Sequence, residues 1–280
     1  MKKIDLVMWT LNSEKYLIQT LNSISKEIPD KFINRKIMVD GGSLDNTINI
    51  AKFFKWEFHK CKKGIPYQAN MALEMVETSI FTSFEHDIIL CPNWFFKIRD
   101  TIKPQDVAVS QGVRISMNKT LRAIEKYGML REYVHYTSID NNLYKTKIIR
   151  DLGGFNLNCP VSCDRDLQDR VRANGFKWLI NNDIISNHLV FDFVKYAHKC
   201  HERRLLNDYQ HDVANIMFLG KRKLKSNSLI YFSDFIIKCF LSFPMGFVIA
   251  RKFKEPSACW GYPFWRFYKL KTLLELIIKK

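Results

Sequence analysis

The chain has 280 residues, of which 47% are hydrophobic and 26% are charged, an ordinary composition for a protein that buries a substantial core. This composition excludes intrinsic disorder, collagen-like sequence and a small disulfide scaffold. The formal charge is +16, and residues 199–280 carry +10 of it, which favours an anionic partner such as nucleic acid, a membrane surface or a phosphorylated substrate.

Residues 1–190 alternate between strand-like and helix-like stretches, which is typical of an α/β domain. Strands are predicted at 4–10, 36–40, 56–59, within 79–90, and at 106–113, 142–146, 176–180 and 183–190. Helices are predicted at 16–28, 47–54, 65–76, 119–136 and 164–174. The sequence therefore predicts an α/β domain over 1–190.

From residue 191 the sequence becomes helical, basic and rich in aromatic residues, and we assign 191–280 to a second region. Residues 229–250 are long enough to cross a bilayer, but Asp234 and Lys238 lie within them and Pro244 to Gly246 interrupts them. We therefore predict an interfacial or re-entrant helical hairpin on an anionic membrane surface rather than a span. A buried helical subdomain is the alternative.

The seven cysteines are scattered, odd in number and without a CxxC pair, so we interpret them as reduced thiols of a cytoplasmic protein. Residues 2–11 begin with basic side chains, but their apolar run is short and contains Asp5, which favours a first strand over a secretory signal.

Polar side chains follow several predicted strands. Asn12 and Glu14 follow the first strand, Asp40 ends the second, and Glu85 and Asp87 end the fourth. Ligands of open α/β sheets bind at the carboxyl ends of strands, where acids can accept from base and ribose donors or hold a divalent cation. The chain has neither a GxGxxG after the first strand nor a GxxxxGK[ST], which argues against a dinucleotide oxidoreductase and a P-loop NTPase.

Five ordered segments resemble the family 2 glycosyltransferases. They are WTLNSEKYL (9–17), MVDGGSLDNTINIAK (38–52), KGIPYQANMAL (63–73), FEHDIILCPNW (84–94) and LGGFNLNCPVSCDRDLQDRVRANGF (152–176). The resemblance implies a GT-A fold with a mixed central sheet, followed here by a C-terminal helical amphipathic extension. It also implies an inverting transferase that uses a nucleotide-diphosphate sugar.

The resemblance also implies roles for individual residues. Those expected to bind the nucleotide sugar are Thr10, Asn12, Glu14, Asp40, Gln68, Asn70 and Arg170. Mg²⁺ or Mn²⁺ would be held by Asp87, with or without Glu85, and by His188. The predicted catalytic residues are Asp164 and Asp166: Asp164 would be the general base, and Asp166 would hold the helix start or an acceptor group. Glu85 and Cys163 depart from the family pattern, which usually has an acid one methylene shorter at 85 and an acid at 163.

These features predict a metal-dependent hexosyltransferase that moves a sugar from a UDP- or GDP-sugar to a hydroxyl acceptor on a glycan or lipid-linked saccharide. We expect it to be peripheral on the cytoplasmic face of the membrane. The alternatives are a polyprenyl-phosphate glycosyl synthase, a nucleotidyltransferase and an inactive nucleotide-sugar-binding protein. Nucleic acid is not expected as a partner, because the basic residues of 199–280 alternate with long apolar runs.

Overall fold

The computed structural model describes residues 3–130, 137–159, 163–205 and 236–278. Its strands form one mixed sheet in the order β3-β2-β1-β4-β7-β6-β8-β5. The strands are β1 (Ile4–Thr10), β2 (Ile33–Asp40), β3 (Glu57–Lys60), β4 (Ile80–Phe84), β5 (Ile88–Ile89), β6 (Val107–Ser116), β7 (Asn142–Lys145) and β8 (Lys177–His188).

Helices cover the sheet and form the C-terminal part of the chain. They are α1 (Glu14–Glu27), α2 (Thr47–Phe53), α3 (Ile65–Met75), α4 (Trp94–Ile98), α5 (Lys119–Leu130), α6 (Thr146–Asp151), α7 (Cys163–Ala173), α8 (Phe193–Leu205), α9 (Ser242–Phe253) and α10 (Ala258–Ile278), with a 3₁₀ turn at Asp30–Phe32.

The strand β1 is an interior strand of the sheet, and all of its residues are buried because both faces are covered. It pairs in parallel with β2 and with β4, whereas β7 runs antiparallel to both β4 and β6. Thr10 lies opposite Asp40 in the register, and Asp40 lies opposite Lys60. The carboxyl ends of β1, β2 and β3 are therefore level, and the predicted mixed sheet is confirmed.

One strand differs from its prediction. The polar residues at 181–183 predicted a break between two strands, but β8 runs without interruption from Lys177 to His188. Asn181 remains in the strand because its buried amide donates to Ser110 Oγ and to the Gln111 carbonyl, both at 2.9 Å. The short helices α4 and α6 were not predicted either, since five or six residues give too little periodicity to detect.

The chain divides into two compact units, Met1–Ile115 with His135–Leu189, and Ser116–Val134 with Val190–Lys280. The first unit ends at Leu189, and α5 belongs to the second unit, so the predicted division into 1–190 and 191–280 stays a prediction. Its Ala123 and Tyr127 pack in one apolar cluster with Ile249 and Ala250 of α9. Residues 131–136, the predicted end of this helix, lie outside the described residues.

In the second unit, the predicted interruption at Pro244 to Gly246 is wrong, because α9 continues through it. Pro244 is the third residue of α9, where a missing N–H is tolerated because first-turn amides have no intrahelical partner. The turn comes instead after Phe253, where Lys254 takes a left-handed conformation with φ +53°. Residues 229–235 lie outside the described residues. None of the helices that the structure describes is long and apolar enough to cross a membrane.

Candidate active site

The loops after β1 and β2 are tied together at the carboxyl edge of the sheet. Asn12 has φ +48°, and its Oδ1 accepts from the Leu44 amide at 2.9 Å. Glu14 Oε2 accepts from the Asn46 amide at 2.8 Å. Both side chains are exposed, so the structure brings these two predicted nucleotide-binding residues to one accessible edge, where they also support the neighbouring loop.

Asp40 organises the loop that follows β2. Its Oδ1 accepts from the amides of Gly42 and Ser43 at 2.8 and 2.6 Å. Its Oδ2 accepts from the hydroxyls of Thr10 and Ser43 at 2.7 and 2.5 Å. Gly42 has φ +100°, which favours glycine. The predicted pair Thr10 and Asp40 is thus brought together, fully buried, as the base of the loop.

Gln68 and Asn70 of α3 bond to backbone. Gln68 Nε2 donates to the carbonyls of Thr10 and Val39 at 2.8 and 2.9 Å, so it cross-links the ends of β1 and β2. Asn70 donates to the Phe155 carbonyl and accepts from the Phe155 amide, each at 2.7 Å. These contacts make both residues supports for the loops around the site.

Asp87 and His188 form a close pair beyond the end of β4. His188 is the last residue of β8, opposite Ile88 in the register, and its Nε2 lies 3.3 Å from Asp87 Oδ2. Burial alone would raise the pKa of Asp87, but its bond to His188 and the charges of His188, His86 and Arg114 hold this pKa well below its usual range. Two of the three predicted metal ligands, Asp87 and His188, are therefore adjacent.

Glu85 takes part in an ion cluster that the sequence analysis missed. Arg114 Nη1 donates to Glu85 Oε2 at 2.7 Å and to Asp140 Oδ2 at 3.0 Å. Asp140 is fully buried, and this burial raises its pKa against the charge of Arg114. The available signal was an arginine within the otherwise uncharged strand Val107–Ser116. The additional methylene of Glu85, relative to aspartate, lengthens its reach towards Arg114.

Asp164 lies in the first turn of α7, as predicted. It is half-buried, and its Oδ1 accepts from the Arg165 amide at 2.8 Å. Burial raises the pKa of Asp164 to about 6, although that amide and the charge of Arg114 favour its ionised form. A carboxylate with this pKa is ionised at neutral pH and still basic enough to accept a proton.

Asp166 and Arg170 form an ion pair with each other on α7. Asp166 Oδ2 lies 2.7 Å from Arg170 Nη2, and Asp166 Oδ1 accepts from Asn156 Nδ2 at 3.1 Å. Arg170 also donates to the carbonyls of Leu152 and Gly154 at 2.5 and 2.8 Å. These contacts hold the loop before α7, so the predicted catalytic role of Asp166 and the predicted nucleotide contact of Arg170 stay predictions.

The Asp87–His188 pair has the donor chemistry that a divalent cation needs. Asp87 Oδ1 is buried and has no hydrogen-bond partner among the described residues. A group of three or more potential ligands does not occur in the part of the chain that the structure describes. Mg²⁺ in phosphate-transfer sites is commonly held by one or two carboxylates and by substrate phosphates, so a small protein ligand set fits a cation that arrives with a diphosphate.

Comparison with known proteins identifies the family and the fold. Residues 5–161 match the family model "Glycosyl transferase family 2". No curated protein sequence matches the chain. Among solved structures, the mannosyltransferase PcManGT of Pyrobaculum calidifontis, in complex with GDP-Man and Mn²⁺, is 13% identical, with a TM-score of 0.64 over 96% of this chain and 86% of its own.

Two further structures share the fold. S. aureus TarS 1-349, in complex with UDP-GlcNAc, is 16% identical, with a TM-score of 0.54 over 74% of this chain and 68% of its own. Glucosyl-3-phosphoglycerate synthase from Mycobacterium tuberculosis, in complex with Mn²⁺, UDP and glucosyl-3-phosphoglycerate, is 14% identical, with a TM-score of 0.51 over 72% of this chain and 78% of its own. The GT-A fold predicted from the sequence is confirmed.

Proposed function

This chain belongs to glycosyl transferase family 2, and we propose that it is an inverting, metal-dependent hexosyltransferase acting on a hydroxyl of a glycan or lipid-linked saccharide. The observation that carries the proposal is the set of acids beyond the end of β4, where Asp87 lies 3.3 Å from His188 and Glu85 is bonded to Arg114, together with the different environments of Asp87 and Asp164. Asp87 has its pKa held low and Asp164 has its pKa raised, and the charge of Arg114 acts on both. Carboxylates whose environments separate their pKa values suit different roles in one site.

The proposed donor is a UDP- or GDP-sugar. Three proteins of the same fold bind GDP-Man, UDP-GlcNAc or UDP, which supports a nucleotide-diphosphate donor. Asn12 and Glu14 stand exposed at the carboxyl edge of the sheet, where amide and carboxylate oxygens can accept from base and ribose groups. Hydrogen bonds of the buried Thr10–Asp40 pair and of Gln68 hold the backbone of that edge in place.

The leaving group of this reaction is a nucleoside diphosphate, whose negative charge grows as the bond to the sugar breaks. Asp87 and His188 would hold Mg²⁺ or Mn²⁺, and the cation would supply electrostatic stabilisation of that diphosphate. The Mn²⁺ in the structures of PcManGT and the M. tuberculosis synthase supports this choice. Glu85, the third predicted metal ligand, is bonded to Arg114 at 2.7 Å.

Asp164 is the proposed general base. An acceptor hydroxyl attacks the anomeric carbon opposite the diphosphate, the new C–O bond forms as the old one breaks, and Asp164 takes the hydroxyl proton. Attack from the opposite side inverts the anomeric centre. A retaining route would need a second carboxylate as nucleophile, and Asp166 is bonded to Arg170 and Asn156.

A polyprenyl-phosphate acceptor is the second candidate. Its attacking oxygen is already anionic and needs no base, so a carboxylate with a raised pKa would have no proton to accept. The burial of Asp164 therefore favours the hydroxyl acceptor.

We also propose that the enzyme works at the cytoplasmic face of a membrane. Residues 199–280 carry +10 of the net charge together with long apolar runs, which suits an anionic lipid surface. The scattered, odd number of cysteines suits a reducing compartment.

A thermal-shift screen tests the proposed donor. Wild-type protein and the Asp87→Asn variant are melted with a panel of nucleotide diphosphates and nucleotide sugars, with and without Mn²⁺. A ligand at a hundredfold excess over Kd stabilises by about 2.7 kcal/mol, so the correct nucleotide raises Tm by several degrees in the wild type. Asp87→Asn should lose the part of this shift that requires Mn²⁺. Equal Mn²⁺-dependent shifts in both proteins would contradict the metal assignment.

A further inference from the structure

The outward face of α9 and of the helical residues 236–240 before it is apolar. Its exposed side chains are Ile237, Phe240, Leu241, Phe247 and Val248, which we call the α9 apolar face. Their spacing of three, four and seven residues places them on one side of a helix. Phe240 is 64% exposed and Phe247 is 71% exposed. A helix of a globular protein normally turns polar side chains outward, so this face is the reverse of the expected pattern.

The apolar face is not the side by which α9 packs. The buried positions are on the opposite side of the helix, at Cys239, Ser242, Gly246, Ile249 and Ala250. At Gly246 an added Cβ would lie 2.7 Å from the Cys259 carbonyl oxygen, so α9 approaches α10 there with no side chain between them. Among the described residues, the close approach of α9 to α10 is therefore made by this opposite side of the helix.

Basic side chains accompany the apolar face. Residues 236–254 contain no acidic residue. Lys238 near one end and Arg251, Lys252 and Lys254 at the other are exposed. Exposed apolar patches mark interaction sites. Because basic side chains flank this one, it suits a partner that has an apolar interior and an anionic surface.

We infer that the α9 apolar face docks onto an anionic lipid bilayer, with the helix lying in the plane of the membrane. Because only one side of this helix is apolar and exposed while the opposite side is buried in the protein, α9 lies along the interface rather than across the bilayer. Phe240 and Phe247 enter the acyl region, and the cations at the two ends meet lipid phosphates. Phe267 of α10 widens the face, since its ring is 6.1 Å from that of Phe240.

This inference rests on the proposed membrane location, and vesicle sedimentation tests it independently of catalysis. The full chain is mixed with vesicles containing about 30% phosphatidylserine in phosphatidylcholine, or phosphatidylcholine alone, at low and high salt. We expect the wild type to sediment with the anionic vesicles, more weakly at high salt. The double variant Phe240→Ser/Phe247→Ser should lose at least tenfold in partition coefficient. Phe53→Ser, at an 82% exposed phenylalanine of α2, is the matched control and should bind as the wild type does.

A second variant tests the charge separately. Arg251→Gln/Lys252→Gln should weaken binding to anionic vesicles and leave binding to neutral vesicles unchanged. A wild type that does not sediment with anionic vesicles, or a Phe240→Ser/Phe247→Ser variant that sediments equally well, would overturn the inference. The inference would also be overturned if the wild type were a dimer in solution and the Phe240→Ser/Phe247→Ser variant were a monomer, because the face would then bind a second copy of the chain.

The nucleotide thermal shift separates this inference from the proposed transferase activity. All of these variants should keep the nucleotide-dependent shift of the wild type. A chain that binds nucleotide sugar but no vesicles refutes the docking face alone. A chain that binds vesicles but no nucleotide sugar refutes the transferase alone.

Discussion

Replacing Asp164 by asparagine should make the protein more stable and the enzyme slower. Asparagine keeps the shape of the side chain and the oxygen that accepts from the Arg165 amide. It removes a charge that the folded protein disfavours, because burial raises the pKa of Asp164 from 3.8 to about 6. The proposed general base therefore lowers the free energy of unfolding, and the neutral Asp164→Asn substitution should raise it again.

The size and the pH dependence of the gain follow from linkage. A carboxyl whose pKa is raised by folding keeps its proton to a higher pH in the folded state than in the unfolded state. Its contribution to stability is therefore lost as the pH rises from about 4 through 6. At about 1.4 kcal/mol for each pKa unit, the raised pKa of Asp164 lowers the free energy of unfolding by at most about 3 kcal/mol at pH 8 and by about 1 kcal/mol at pH 4.5. The Asp164→Asn variant should therefore gain up to about 6 °C in Tm at pH 8 and less at pH 4.5.

The neighbouring aspartate supplies the control. Asp166 accepts from Arg170 Nε at 2.8 Å, so Asp166→Asn should lose about 1–3 kcal/mol of stability at pH 8. The assay is thermal unfolding of the three proteins at both pH values, with turnover of folded protein measured at pH 8. Turnover should fall about a hundredfold or more in Asp164→Asn. In Asp166→Asn it should fall much less. The reasoning is refuted if Asp164→Asn is less stable than the wild type at pH 8 and turns over normally.

Three other changes test separate parts of the site. Arg114→Met should cost about 3–5 kcal/mol in urea unfolding, because it leaves Glu85 and the buried Asp140 without a cation, and adding Asp140→Asn should restore part of the loss. Asp87→Asn should abolish sugar transfer and, in calorimetry, the Mn²⁺-dependent gain in nucleotide affinity, whereas Glu85→Gln should reduce both less. Full activity of Asp87→Asn in chelator-treated buffer would contradict this. Asn70→Ala should lower stability by about 1–3 kcal/mol through the lost bonds to the Phe155 backbone while the nucleotide Kd stays unchanged, and a large increase in Kd with normal stability would refute the supporting role.

Much of the fold could be predicted because its signals are local. The apolar run of β1 predicts a buried strand, and this strand is observed with all of its residues buried. The break predicted before Asp183 failed because polar residues usually end strands, whereas the amide of Asn181 bonds across the sheet to β6. Such a partner lies about 70 residues away in sequence and leaves no local signal.

The sequence supplies candidate site residues, but it does not supply the contacts that those residues make. Asp87, His188 and Asp164 were identified from segment resemblance, and the structure pairs the first two. The partnership of Arg114 with Glu85 and Asp140 joins three elements, and no spacing along the chain predicts it. For the same reason, the backbone partner of Asn70 was invisible in the sequence, since a side-chain amide can bind a ligand or a loop equally well.

Release of nucleoside diphosphate from nucleotide sugars tests the central claim most directly. Wild-type protein and Asp164→Asn are each incubated with Mn²⁺, a panel of UDP- and GDP-sugars and a panel of glycan acceptors, and the released diphosphate and the bound donor are both measured. We predict that the wild type releases diphosphate from at least one donor only when Mn²⁺ is present. Asp164→Asn should bind that donor with the same Kd and release its diphosphate about a hundredfold or more slowly. Equal release by the two proteins, or no binding of any nucleotide sugar by the wild type, would contradict the account.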